Sequence, residues 1–326
     1  MLRSSQRQMK ITDHIKNANG KTLFSFEVIP PQKGTSINDL YKNIDPLMEF
    51  KPPFIDVTTS REEYIFIEKE NGLFEKKITR KRPGTIGICA SLQHKYGVDT
   101  VPHILCGGFN KEETEYALVE CQYLGIQNVM ALRGDSRKDE QYFKAHSEGH
   151  PFASDLVKQI KDLNSGKFLH EEIEVAENMD FCIGVAGYPE KHLEAPSLNY
   201  DLQMLKQKVE NGADYIVTQM FFDNQKFFDF VKQCRDFGID VPIIPGIKPI
   251  ATKSHLQILP QIFRIDLPET LISEVQKCKT TAEVRQVGIE WSIQQSKELL
   301  DFGVPVLHYY SMGKSDNIFK IAKEIF

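Results

Sequence analysis

No run of about 18 uninterrupted apolar residues occurs in this 326-residue chain, so no membrane-spanning helix is expected. Nor is there an excess of positive charge. Forty Lys and Arg against 45 Asp and Glu leave a net charge of -5, which supplies no electrostatic reason to bind nucleic acid. The six cysteines, Cys89, Cys106, Cys121, Cys182, Cys234 and Cys278, contain no CxxC spacing, and several lie in apolar runs such as "GICAS" and "FCIGVAG". A zinc site or a disulfide framework is therefore not expected, and the thiols should be reduced and buried. The polar residues before Lys21 are not followed by the apolar core of a secretory signal, so the expected location is cytoplasmic. The first strand runs into "VIPPQKG", not into the Gly-rich phosphate turn of a doubly wound open sheet.

What is present is an alternation of β-rich runs with amphipathic stretches. The expected strands are "TLFSFEV", "FIDVTT", "TVPHILC", "QNVMALR", "FCIGVAG", "DYIVTQM", "VPIIPGI" and "VPVLHYY". Helix-like segments separate them, with two more helices expected before the eighth strand and "SDNIFKIAKEIF" closing the chain. Asn110 can cap one helix, and Gly125, Gly212 and Gly238 punctuate others. Eight strand–helix units predict an α/β protein of the (β/α)8 TIM-barrel class. Residues 1–21 read as an N-terminal extension, and 22–326 as a single catalytic domain with surface insertions near 61–82 and 136–178. Asn71–Gly72 suits a hairpin turn in the first insertion.

Strand residues two apart share a face. In the first strand Leu23, Ser25 and Glu27 share one side, and Phe24, Phe26 and Val28 the other. The bulky set should face the helices, which leaves Glu27 pointing into the barrel at its C-terminal mouth, where catalytic groups of this fold gather. Burial raises the pKa of a carboxyl and makes it a general acid near neutral pH. The alternative is a glutamate paired with a Lys or Arg for stability. Other strand ends carry polar groups too: Thr58 and Thr59, His103, the "RGDS" of Arg133 to Ser136, Tyr188, Gln219, and His308 with Tyr310. Singly, each is an ordinary core residue; together they mark an active site without naming its reaction. No zinc-helix spacing surrounds His103 or His192, and no metal is expected.

The motifs "FSFEVIPP", "DVTTS", "PHILC", "GIQNVMALRGD", "VAGYPEKHLEA", "DLQMLKQKVENGADYIVTQMFFD", "IIPGIKPI" and "LHYYSMGK" follow one another from residue 22 to the C-terminus. In order and spacing they resemble the methylenetetrahydrofolate reductase family, in its shorter, bacterial-type form. The resemblance implies FAD at the barrel mouth, reduced by NADH or NADPH. A hydride then passes from flavin N5 to 5,10-methylenetetrahydrofolate, giving 5-methyltetrahydrofolate for one-carbon metabolism and methionine biosynthesis. It implies Glu27 as the general acid and Asp135 as a carboxylate between flavin and folate. It implies Gln219 as a pterin contact, with Lys253 and Lys314 as further substrate-binding positions. Thr58, His103, Arg133, Gly134, Asp135, Tyr188, His192, Asp201, Lys208 and Tyr310 fall at flavin-contacting positions. Some residues depart from the pattern. "TSREEY" stands where bacterial relatives continue with a Tyr-Gly-Ala-type turn, Lys253 where relatives tend to have an aromatic, and Lys314 at a usual Arg position. A homo-oligomer is expected. The competing readings are an aldolase or corrinoid-dependent methyl transfer on the same barrel, or a partner-dependent or non-catalytic flavin- or folate-binding barrel. The first of these lacks a convincing Schiff-base lysine inside a strand.

Overall fold

Side-chain alternation decides which way each strand faces, and so how the chain closes on itself. This computed structural model describes residues 8–137, 140, 142–170, 172–174, 178–311 and 313–326. The first seven residues of the expected extension lie outside the described residues. So do residues 138, 139, 141, 171 and 175–177 of the expected 136–178 insertion, and Met312 of "LHYYSMGK".

The chain opens with α1 (Ile11–Asn17), β1 (Leu23–Val28), α2 (Ile37–Ile44) and β2 (Phe54–Val57). A hairpin of β3 (Glu63–Glu68) and β4 (Phe74–Thr79) precedes α3 (Thr85–Tyr96). Then come β5 (Asp99–Leu105), α4 (Lys111–Tyr123), β6 (Asn128–Leu132) and α5 (Ala153–Asn164). They are followed by β7 (Cys182–Gly187), α6 (Leu198–Glu210), β8 (Tyr215–Thr218) and α7 (Asn224–Asp236). Two short pieces, β9 (Ile243–Ile244) and β10 (Gly246–Ile247), lead into α8 (His255–Phe263), α9 (Glu269–Lys277) and α10 (Thr281–Phe302). The chain finishes with β11 (Val306–Tyr310) and α11 (Asp316–Ile325).

The main sheet runs β10-β11-β1-β2-β5-β6-β7-β8-β9, every pairing parallel. Only Pro245 separates β9 from β10, and its missing N–H breaks the ladder there. One piece pairs with β8 and the other with β11, so the two are halves of a single strand, and the expected (β/α)8 barrel closes through it. Three helices, not the expected two, stand before β11. Arg264, at φ +56°, ends α8 in the left-handed region, and Pro268 leads into α9 before α10 begins.

The wall has two dry sides. Phe24, Phe26 and Val28 pack between sheet and helices, as the alternation in β1 predicts. Leu23 joins Phe54, Val101, Met130, Tyr215 and Val306 inside the barrel. Ile11 and Ile15 of α1 pack on this interior cluster, so the expected extension is a plug for the N-terminal end. The plug is pinned by polar groups: Ile11 N–H donates to Asn128 Oδ1 at 2.8 Å, and Asn128 Nδ2 donates to Met9 O at 2.9 Å. The capping box expected at Asn110 is present, with Glu113 N–H donating to Asn110 Oδ1 at 2.7 Å and Glu113 Oε2 accepting from Asn110 N–H at 2.9 Å. Such a cap is worth about 1 kcal/mol. All six cysteines are free and buried; burial pushes Cys106, Cys121 and Cys234 up to about 12 and leaves them inert thiols. Among the described residues no helix is long and apolar enough to cross a membrane.

Candidate active site

The two prolines after β1 stop the strand one step past Glu27 and leave that side chain at the C-terminal rim, facing inward. The same face carries Ser25 one layer below, where its Oγ lies 2.8 Å from Nδ1 of His308 on β11. Register places Glu27 opposite Tyr310 on one side and Asp56 on the other. Asp56 shares its face with Phe54, so it too points inward. His103, on β5, completes the group: its Nε2 is 3.5 Å from Asp56 Oδ2 and 3.7 Å from Glu27 Oε2. Glu27, Asp56 and His103 are 9%, 1% and 8% exposed, and neither Asp56 Oδ1 nor His103 Nε2 has a hydrogen-bond partner.

These neighbours set the protonation of the floor. Burial pushes Glu27 up to about 7; His103 and Lys248 pull it down and Asp56 pushes it further up. For His103 burial favours the neutral ring, but contact with Asp56 and the charge of Glu27 outweigh it, and the net shift is upward. Burial holds His308 below the usual histidine range, against the charge of Asp56. The floor therefore holds a carboxyl that keeps its proton up to about neutral pH, beside a histidine in contact with Asp56.

Above this floor the strand ends enclose a cavity of about 920 Å³. Thr58, Arg133, Gly134, Asp135 and Gln219 line it from just past the ends of β2, β6 and β8. Tyr188, His192, Asp201 and Lys208 line it from the β7–α6 connection and α6, and Tyr310 from β11. Gly134 turns the chain at φ +83°, between Arg133 and Asp135. Arg133 makes a two-pronged pair with Glu194, at 2.6 and 2.8 Å, and lies 4.7 Å over the Phe143 ring. His192 packs edge-on against Tyr188, and its backbone N–H donates to Asp201 Oδ2 at 2.7 Å. Lys208 donates to Ala186 O at 2.7 Å, and burial pushes it down to about 8 against the charge of Asp201. Gln219 Oε1 accepts from Met220 N–H at 3.0 Å, and the Tyr310 hydroxyl donates to Thr218 O at 2.7 Å.

Lys253 and Lys314 do not line this cavity. Lys253 is exposed and donates to Gln276 O at 3.0 Å beside a separate shallow depression, and Lys314 is exposed past β11. The site also contains groups that sequence reasoning passed over, Asp56 and Lys248 on the floor and Glu194 opposite Arg133. Asp56 sits two residues from Phe54 in a four-residue strand, the same signal that singled out Glu27. The 61–82 insertion forms the expected hairpin, with Gly72 at φ +75° and Lys69 N–H donating to Leu73 O at 2.8 Å. Tyr64 and Phe66 from it line the cavity. Arg137 ties it to the loop after β6, lying 4.4 Å over the Tyr64 ring.

A family model described as methylenetetrahydrofolate reductase matches residues 10–325. Methylenetetrahydrofolate reductase 1 of Schizosaccharomyces pombe is 32% identical over 309 residues, 94% of this chain and 46% of that protein. Methylenetetrahydrofolate reductase 2 of Saccharomyces cerevisiae is 33% identical over 94% of this chain and 48% of its own length. The chain thus spans about half the length of these relatives. The 5,10-methylenetetrahydrofolate reductase of Escherichia coli is 30% identical over 98% of this chain and 95% of that one. Among solved structures, a Clostridium thermocellum protein described as binding two copies of 5-methyl-5,6,7,8-tetrahydrofolic acid shares the fold. Its TM-score is 0.58 at 13% identity, covering 97% of this chain and 98% of that one.

Proposed function

The chain belongs to the methylenetetrahydrofolate reductase family, and we propose that it reduces 5,10-methylenetetrahydrofolate to 5-methyltetrahydrofolate, with FAD as cofactor and NADH or NADPH as reductant. The observation that carries this reading is Glu27, a buried carboxyl on the cavity floor whose pKa stands at about 7. A donor with that value keeps its proton at neutral pH and can still release it.

The residues present fit a flavin dinucleotide. Arg133 and Lys208 bring two cations to the cavity wall, suited to phosphate or carbonyl oxygens, and Asp201 suits ribose hydroxyls. The Arg133–Glu194 pair is partly exposed, 20% and 37%, so exchanging it for a ligand oxygen costs little. The Nε2 of His103 and Oδ1 of Asp56, neither of them hydrogen-bonded, leave polar capacity on the floor. FAD, when bound, supplies the two-electron carrier between the nicotinamide and the folate.

The chain's own part is the proton. The substrate's methylene carbon bridges N5 and N10, and the bond to N10 must break before hydride can add. Glu27 gives its proton to N10 as that bond opens, and N5 becomes a cationic iminium. Asp135 favours the cation through its charge, and Gln219 orients the pterin. His103 faces the carboxylate left behind, while the charge of Asp56 opposes it and favours release from the protonated form only through His103. In the same reading the protein works as a homo-oligomer; Tyr116 and Tyr123 stand 66% and 88% exposed on α4.

The purified protein is expected to be yellow, to bleach with NADH or NADPH, and to regain its colour with 5,10-methylenetetrahydrofolate. Glu27 is protonated below about 7 and ionised above it, so the recolouring rate should fall as pH rises through that value. Bleaching has no need of Glu27 and should not follow that limb. A protein that takes up no flavin, or one that bleaches but is not recoloured by the folate, would overturn the reading.

A further inference from the structure

One charge on the floor has no role in the chemistry so far. Lys248 follows β10 and is 6% exposed. Its Nζ donates to Tyr310 O at 3.3 Å, a single bond for a group that has three to give. The ammonium is not among the groups that line the cavity. Taking such a cation out of water costs several kcal/mol unless something nearby compensates.

Its position follows from register. Gly246 faces inward against Tyr310, where a Cβ would lie 2.5 Å from the ring, and Ile247 faces the helices. Alternation turns Lys248 inward again. Gly246 pairs with His308 and Ile247 with Tyr309, which brings Lys248 alongside Tyr310; Glu27 pairs with Tyr310 from the other side. Lys248 and Glu27 thus flank one tyrosine backbone, and each is an electrostatic partner of the other.

We propose that Lys248 is a positioning residue for the proton donor: a buried ammonium, behind the cavity lining, that balances the carboxylate Glu27 becomes when it gives its proton to the folate. This rests on the reading of Glu27 as the acid. Before transfer Glu27 is neutral, with Asp56 and His103 on one side of it and the Lys248 ammonium on the other. Transfer to N10 makes Glu27 a carboxylate facing that ammonium. Without Lys248 the same step would leave an uncompensated negative charge in a dry site.

The other groups around Glu27 and Lys248 do not replace this cation. Burial keeps His308 on β11 neutral, and Tyr310 keeps its phenolic proton. His255 on α8 is held below the usual histidine range by burial and then by Lys248 itself. Asp56 on β2 works in the opposite sense, and His103 on β5 is already engaged with it.

The test compares Lys248→Met with Lys248→Arg in the flavin-loaded protein. The infrared carboxyl stretch of Glu27, identified by its absence in Glu27→Gln, is followed against pH. Removing the cation should move its midpoint upward by on the order of one pH unit. The alkaline limb of folate-driven recolouring should move upward with it, while the rate at neutral pH falls severalfold because the acid is weaker. Lys248→Arg should keep both near wild type. Should Lys248→Met not fold, Lys248→Gln is expected to give the same upward shift. A midpoint that stays at the wild-type value in the uncharged variants overturns the proposal. If instead Glu27→Gln reduces folate normally while the infrared midpoint still moves, it is the assignment of Glu27 as the acid that fails, and the charge coupling stands.

Discussion

Replacing Glu27 by Gln is expected to slow folate reduction by about 10²–10⁴-fold while flavin bleaching by NADH or NADPH keeps close to its wild-type rate. The amide matches the carboxyl in shape, so the floor should not collapse. It has no acidic proton, and the loss in the folate step corresponds to about 3–5 kcal/mol of barrier. The asymmetry is what identifies the role. A purely structural Glu27, held between His103 and Asp56, would disturb both half-reactions alike when altered. Stopped-flow measurement of each half-reaction on one preparation separates the two cases, and an equal fall in both removes Glu27 from the chemistry.

The largest effect on stability is expected at Gly288, inside α10. Helix propensity alone says that Ala should be better there by about 1 kcal/mol. Packing says the reverse, because an added Cβ would stand 1.9 Å from the carbonyl oxygen of Ile250 and 2.8 Å from its carbon. Both sides of that contact are backbone, so the helix or the segment after Lys248 has to move. Gly288→Ala is therefore expected to lose about 2–3 kcal/mol net, seen as a lower urea midpoint. A variant that is as stable as wild type, or more so, would show that α10 can shift freely. The same displacement would carry Lys248 with it, so the pH limb of folate reduction should move together with the midpoint.

The fold was legible wherever local chemistry and long-range packing agree. In β1 two aromatic residues and a valine alternate with Leu23, Ser25 and Glu27, and the alternation alone predicts which set faces the barrel. The hairpin at Asn71–Gly72 and the cap at Asn110 are local signals of the same kind. The plug formed by α1 was not legible, because Ile11 and Ile15 are apolar residues in a short polar segment whose partner, Asn128, lies 117 positions away. The division of the seventh strand at Pro245 shows only in the pairing, since "VPIIPGI" reads as one run.

The site divides along a similar line. Glu27 announces itself as a charge in an apolar strand. Asp56 carries the same signal in a shorter strand, four residues long, where a single charge is easily taken for the strand's end. Lys248 lies one residue beyond β10, and its inward direction depends on register with β11, a long-range fact. That register turns a lysine just past the strand toward the barrel interior, though not into the lining of the cavity. Lys253 shows the converse. Its place in a motif suggested a substrate contact, while the chain carries it past the rim to Gln276.

Closure of the barrel ties together parts of the chain that are made far apart in time. Ser25 meets His308 across 283 positions, and Thr22 meets Val304 across 282. A nascent chain therefore carries β1 with one edge unpaired until residues 306–310 have left the ribosome. Folding of this kind, dominated by distant pairings, is slow and exposes strand edges to other chains along the way. Synthesis of this barrel should thus draw on chaperones most heavily just before β11 emerges.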